Sequence, residues 1–439
     1  MTRGNTTFCG GEPTWANACV GNNGDPGYWD YAKGFSQAAN LLIDEVLNGK
    51  GFTYAFDELI YPVCFNMRHS VELRLKGAIS VLVLLEKFRG RVFEFDLEGS
   101  HDIGNIWRFF IEKSRSVDDR YNEIVDRLNA KILDIAEIDV TGQTFRYPIN
   151  RESQKHLVDV AIINFYNLKE SFSEIEDALD DLHRLNKYLY DEYWYGTFTK
   201  RLSRKNIFYI AAQLPTRDQW GKESFVRTKS EIKEMFNIGS KELSESIKII
   251  QGNFETAPIV GISVPLLGVS ETILIDFIKH WLKRHNNNSD TAPIGLGSSI
   301  WGSEDMLESI SRDAEVQNEV WENVNSFLTP QIMAGILALF HFARELDFSE
   351  HYIHIYACAL QEVEWAFKRP GSDAREQFMY VFNKTNAVDS ILKSLYFLKQ
   401  GEVAEMLVST HGLEKRFPWL DEARSGGLFR KPEYYGYAK

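Results

Sequence analysis

Residues 67–76, Met67-Arg68-His69-Ser70-Val71-Glu72-Leu73-Arg74-Leu75-Lys76, put two arginines, an imidazole, a carboxylate and a lysine on one otherwise apolar segment. An imidazole moves protons near neutral pH. A guanidinium or ammonium group holds phosphate, and a carboxylate can orient either. Buried helices rarely carry so many ionisable groups, because each needs a partner or water. The segment lies inside a longer helical pattern from Asp57 to Lys87, with Pro62 near its start, where a kink or a helix start is expected. At about 100° per residue, His69, Glu72, Lys76 and Ser80 fall within an arc of roughly 80°. Arg68 lies roughly 40° beyond that edge. It stands four residues before Glu72, within ion-pair reach. Val63, Phe65, Met67, Val71, Leu75, Ile79 and Leu82 fill the rest of the wheel. Such a polar stripe either faces water or lines a cleft shared with a neighbouring element.

Ser100-His101-Asp102-Ile103 supplies a candidate neighbour. Ser100 is expected to cap a helix holding Ile103, Ile106, Trp107 and Phe110. The free N–H groups at its start would favour an anion. The candidate acid–base set is therefore His69, His101, Arg68 and Glu72, with Lys76, Asp102 and Arg74 as binding groups for nucleotide or RNA.

The elements that must position these groups read as mainly α. Residues 1–30 form an irregular arm, partly held by Trp15, Tyr28 and Trp29. A helical bundle covers 31–195, with a short hairpin or loop at 139–150 around Thr141-Gly142 and Tyr147-Pro148. Its first helix ends at Asn48-Gly49-Lys50-Gly51, and a later one runs from Ser116-Val117-Asp118-Asp119 to about Ile138. A long helix is expected from about Glu152 to Tyr190, on the spacing of Leu157, Ala161, Phe165, Leu168, Phe172, Ile175 and Leu179. A second helical domain covers 196–425, and 426–439 form a tail. In the second domain, helices are expected at Leu202–Gln213, Lys241–Ile250 capped by Ser240, and Ser270–Arg284. Further helices are expected at 303–315, 316–327, 331–346 after Thr329-Pro330, 350–367 capped by Ser349, 383–400 and 402–408. Ile259–Leu267 reads as an extended connector or a buried strand.

The chain has 439 residues, more than one ordinary core accommodates. Its net charge of −13 opposes nucleic acid or an anionic membrane at long range, although a local basic groove remains open. Two basic clusters exist, Lys200-Arg201-Leu202-Ser203-Arg204-Lys205 and Lys279-His280-Trp281-Leu282-Lys283-Arg284-His285. Either would suit phosphate, and the simpler reading of both is a solvated helix end. Cys9, Cys19, Cys64 and Cys358 form no CxxC pair, which argues against a cysteine zinc site or a disulfide framework. No signal-like N-terminus and no 18-residue apolar run is seen, so a cytoplasmic protein without a membrane partner is expected.

The order Arg68-His69-Ser70-Val71-Glu72-Leu73-Arg74-Leu75-Lys76, then a gap, then Ser100-His101-Asp102-Ile103-Gly104-Asn105-Ile106-Trp107 resembles the HEPN helical domain (higher eukaryotes and prokaryotes nucleotide-binding) over residues 30–190. The resemblance implies a bundle of four to five helices that often dimerises. Some members are metal-independent ribonucleases of toxin, defence or RNA-processing systems. Others bind nucleotides, RNA or protein partners without catalysis. The ribonuclease branch carries Arg, a polar residue and then His, with four to six residues between Arg and His. Arg151–His156 and Arg344–His351 have that spacing, but Glu152 and Glu345 replace the usual Asn, Asp or His. Both are weaker alternative catalytic pairs, and both lie outside the best-matching helix.

Other constellations are less specific. His341, Glu345, His351 and His354 have spacings open to metal, but hydrogen-bonded histidines are the simpler reading. Gly295-Leu296-Gly297 lacks phosphate-loop spacing, and no metal or cofactor is expected. Cys64 reads as a core thiol. Two functions remain open. One is an RNA- or nucleotide-binding and assembly module of a bacterial defence or toxin-type system, with a protein partner and a homodimer expected. The other is a metal-independent endoribonuclease using Arg/His acid–base chemistry, with His69 or His101 as proton carrier and Arg68 and Lys76 on phosphate.

Overall fold

The computed structural model describes residues 6–50, 52–149, 156–157, 160–286, 303–368 and 374–429. Among them are sixteen α-helices and no strand, so the protein is mainly α. The chain divides into two compact units, Met1–Asp191 and Glu192–Lys439.

The first unit contains α1 (Tyr28–Asn48), α2 (Phe56–Phe88), α3 (Ile103–Val117), α4 (Tyr121–Ile138) and all but the last three residues of α5 (Phe165–Trp194). α2 packs on α1 and α3, and α3 packs on α4. The spacing of Val63, Val71, Leu75, Ile79, Leu82 and Leu85 turns one face of α2 inward, and all six are fully buried. Each such side chain stabilises the fold by about 1.5–3 kcal/mol relative to exposure. Pro62 lies within α2, which runs through it. α5 is tied to α1 by Ser36 and Asn40 on Glu176, to α2 by Arg74 on Asp180, and to α4 by Tyr121 Oη donating to Asn186 Oδ1 at 2.6 Å.

Several boundaries differ from the sequence expectation. Asp102, not Ser100, caps α3, because its carboxylate accepts from the Asn105 N–H at 2.9 Å and complements the helix dipole. α5 begins at Phe165 rather than Glu152. Asn164 Oδ1 accepts from the N–H groups of Tyr166 and Asn167, and Leu157 sits at φ +58°, outside helical space. Residues 139–148 form turns. In the arm, Trp15 is 86% exposed and so is no anchor among the described residues. Trp29 instead lies at the start of α1, stacked on His183 at 3.8 Å.

The second unit contains α6 (Arg204–Gln213), α7 (Glu223–Phe236), α8 (Ser240–Gly252), α9 (Glu271–Asn286), α10 (Ser303–Asn325), α11 (Pro330–Phe342), α12 (Ser349–Phe367), α13 (Ala374–Phe382), α14 (Ala387–Phe397), α15 (Gly401–His411) and α16 (Leu420–Arg424). One apolar core joins α6 to α8, including Ile207, Ile210, Ile232 and Ile250. A larger one surrounds α11, whose residues 333–340 are all buried. α11 packs on α12 and α14 and is capped by Thr329, as its Thr-Pro start implies. α10 is one continuous helix where two were expected, and α11 stops at Phe342. α8 follows Gly239, and Ser349 is already helical behind Phe348. α7 and α13 were not legible as separate helices.

The stretch after the 3-10 turn Ala257–Val260 is an extended connector, not a strand. It crosses α11 so closely that a Cβ on Gly268, at φ +72°, would meet the Gln331 carbonyl oxygen at 2.0 Å. Tyr352 fastens it through Oη, which accepts the Leu267 N–H at 3.0 Å. Arg204, expected on a solvated end, is instead fully buried at the start of α6. It pairs with Glu350 and Glu255. The second basic cluster does lie at the end of α9, where Lys283 meets Glu319. Residues 427–429 form a 3-10 turn whose Phe429 packs on Phe397.

Candidate functional site

The stripe on α2 and the start of α3 do meet. Glu72 sits at their junction, 2% exposed. Its Oε1 lies 3.0 Å from both Lys76 Nζ and His101 Nδ1, and its Oε2 takes the Arg68 Nη1–H. Burial by itself would raise this carboxyl. The hydrogen bonds from Arg68, Lys76 and His101 outweigh it and hold Glu72 below the usual carboxylate range.

Arg68 is engaged almost completely. Nε donates to the Asp139 carbonyl at 2.9 Å, and Nη2 donates to the carbonyls of His101 at 2.6 Å and Val140 at 3.0 Å. One guanidinium thus closes the end of α4, the entry to α3 and the middle of α2. The turn after α4 is shaped around it. A Cβ on Gly142, at φ +75°, would lie 3.0 Å from Arg68 Nη1. The hollow bordered by Arg68 is about 340 Å3 and mainly apolar, lined by Cys64, Met67, Ile135, Ile138, Phe145 and Ile175. Cys64 is a neutral core thiol, pushed up to about 12 by burial and by Asp139.

The histidines have different surroundings. The His101 side chain is 60% exposed, with Nδ1 on Glu72 and no partner for Nε2 among the described residues. His69 is half-buried between Phe35, edge-on at 4.5 Å, and Phe65, stacked at 5.7 Å. Its ring makes no hydrogen bond among the described residues. Burial lowers its pKa; Glu72 opposes that shift, and Arg68 and Lys76 add to it, so the ring favours the neutral form. Glu72, Lys76, Arg68 and His101 are therefore brought together, while His69 is set in aromatic packing beside them.

The remaining candidates are separate. Both carboxylate oxygens of Asp102 are held by Asn105. Ser80 bonds within α2, to the Gly77 carbonyl. Arg74 gives Nη1 to Asp180 and the Glu176 carbonyl, and its guanidinium carbon stands 4.6 Å from the Trp29 ring centre. It borders a different hollow, about 240 Å3, with Trp29, His183 and Asn186. Arg151 lies outside the described residues, as does Gly295-Leu296-Gly297. His156 borders a hollow of about 880 Å3 with Tyr61, Arg146 and Phe165. Arg344 rests on Phe340, whereas His351 lies among Tyr195 and Phe342, 4.0 Å from Glu345. His341 stacks on Tyr380. No group of three or more His, Cys, Asp or Glu side chains is placed to hold a metal among the described residues.

Sequence reasoning missed Asp139, Val140 and Gly142 as parts of this site. Asp139 and Val140 contribute carbonyls and Gly142 contributes turn geometry, which no side-chain pattern signals. The glycine in Thr141-Gly142 was the one legible trace. No helix among the described residues is long and apolar enough to cross a membrane. Comparison with family models, with curated proteins and with solved structures finds no match to this chain.

Proposed function

We propose that the first unit is a HEPN-like module that binds RNA or nucleotide and assembles with a protein partner, as a homodimer, in a cytoplasmic defence or toxin-type system. The observation that supports this reading is the engagement of Arg68. A metal-independent ribonuclease needs a guanidinium free to meet the scissile phosphate. Here that group is 3% exposed and bound to three carbonyls and Glu72. Lys76 is likewise buried on Glu72. The polar cluster then acts as a brace that holds the His101 surface at the entry of α3.

A second reading, the metal-independent endoribonuclease, is favoured by one feature. His101 presents an open Nε2 while Nδ1 is held by a buried carboxylate, the arrangement that orients an imidazole for proton transfer. The test incubates the purified chain with total RNA and with tRNA in the absence of metal. It also extracts and identifies any nucleic acid or nucleotide that copurifies. The module reading expects intact RNA and a copurifying ligand. Cleavage that His101→Ala abolishes would replace it with the ribonuclease reading. Gel filtration measures the dimer.

A further inference from the structure

The second unit carries a basic hollow of about 380 Å3 that the reading above does not use. It is bordered by Phe340, Arg344, Lys384, Asp389, Ser390 and Lys393. Three cations face one carboxylate, within a chain of net charge −13. That carboxylate is already occupied: Asp389 accepts from Trp419 Nε1 at 2.7 Å and pairs with Lys393 at 2.9 Å. Arg344 and Lys384 have no carboxylate partner among the described residues. They rest on aromatic rings instead, with Arg344 5.7 Å from the centre of Phe340 and Lys384 4.7 Å from that of Tyr380. The eleven-residue helix α14 starts at this hollow, and no side chain caps it.

A hydroxyl joins these cations at the hollow. Ser390 is largely buried and borders the hollow, where its hydroxyl is available to a ligand. Beside Asp389 and the Asn386 amide, the hollow offers donors: a guanidinium, two ammonium groups and a hydroxyl. Such a set suits an oxyanion with several acceptor oxygens. The volume exceeds that of a bare tetrahedral anion, and Phe340 supplies one apolar wall.

We propose that this hollow binds a phosphate group, with Arg344 and Lys384 on the phosphate oxygens and Ser390 donating from the floor. Its geometry lies wholly in the second unit, so it stands apart from the function proposed for the first. The phosphate comes either from a nucleoside monophosphate or from free inorganic phosphate.

Isothermal titration of the full chain at low ionic strength tests this, using inorganic phosphate, adenosine 5′-monophosphate and adenosine. Saturable binding of at least one phosphate species is expected, with none of adenosine, and it should weaken as salt rises. Arg344→Gln/Lys384→Gln alters two exposed side chains, and an unchanged thermal unfolding midpoint checks that the fold is kept. It should weaken binding by about tenfold or more. Ser390→Ala should weaken it severalfold, and Lys279→Gln in the other basic cluster should leave it unchanged. Tighter binding of the monophosphate than of phosphate assigns the nucleotide source, and equal binding assigns the free anion. The proposal is overturned if neither phosphate species binds, if adenosine binds as well as its monophosphate, or if the double variant retains the parent affinity.

Discussion

Replacing Arg68 by methionine isolates the brace. The apolar stem is kept and the guanidinium is lost. The carbonyls of His101, Asp139 and Val140 lose their common donor, and Glu72 keeps only Lys76 and His101. Hydrogen bonds to charged groups contribute about 1.5–3 kcal/mol each, so three independent ones would sum to roughly 5–9 kcal/mol. They are not independent, since they share one side chain and water can enter beside His101. The measured cost of removing one partner from a buried pair, about 3–5 kcal/mol, is the better guide. That is a large part of the stability of an ordinary domain. Urea denaturation of the full chain gives the overall change, and hydrogen exchange of peptides covering 101–140 locates it. The double variant Arg68→Met/Glu72→Met should lose less than the sum of the single variants, because the Arg68–Glu72 pair is lost in each of them and is counted twice in that sum. A shift of Arg68→Met below about 1 kcal/mol, with exchange over 101–140 unchanged, would refute the brace.

Gly142→Ala should cost about 1–3 kcal/mol through its positive φ and the approach to Arg68, read as a lower urea midpoint that Arg68→Met largely masks. Gly268→Ala places a methyl group against the Gln331 backbone, where the helix cannot yield cheaply; a loss of about 2 kcal/mol or more is expected in thermal unfolding. Glu72 has a lowered folded pKa, so its contribution is complete above the ordinary carboxylate value and is lost as pH falls through the folded one. The stability difference between the parent and Glu72→Gln should therefore shrink below about pH 4.5, and a difference independent of pH would contradict the assignment.

The helices were largely legible because apolar spacing reports which face a segment buries. Val63 to Leu85 on α2 and Ile103 to Phe110 on α3 follow that rule. The boundaries were less so. Ser100 and Asp102 are both competent caps, and only the position of the Asn105 N–H selects between them. Leu157 and Ala161 continue a helical spacing, but Asn164 starts the helix after them. α13 spans only nine residues, and α7 buries only Phe225 and Ile232, too thin an apolar face to mark a helix.

The site divides in the same way. The sequence alone determined that Arg68, Glu72 and Lys76 share a helix at ion-pair spacing, and that His101 stands at the head of the next one. It also determined that so many ionisable groups on an apolar helix require partners. Only the tertiary structure decided who those partners are. Asp139 and Val140 bind Arg68 through carbonyls, which every residue possesses, across more than seventy positions of chain. His69 was as good a proton carrier on the wheel as any other group until Phe35 and Phe65 enclosed it. Arg204 looked like one more surface cation until Glu350, far along the chain, paired with it in the interior. Side-chain type and local period belong to the sequence; which backbone oxygen or distant carboxylate arrives at a given charge is settled by packing.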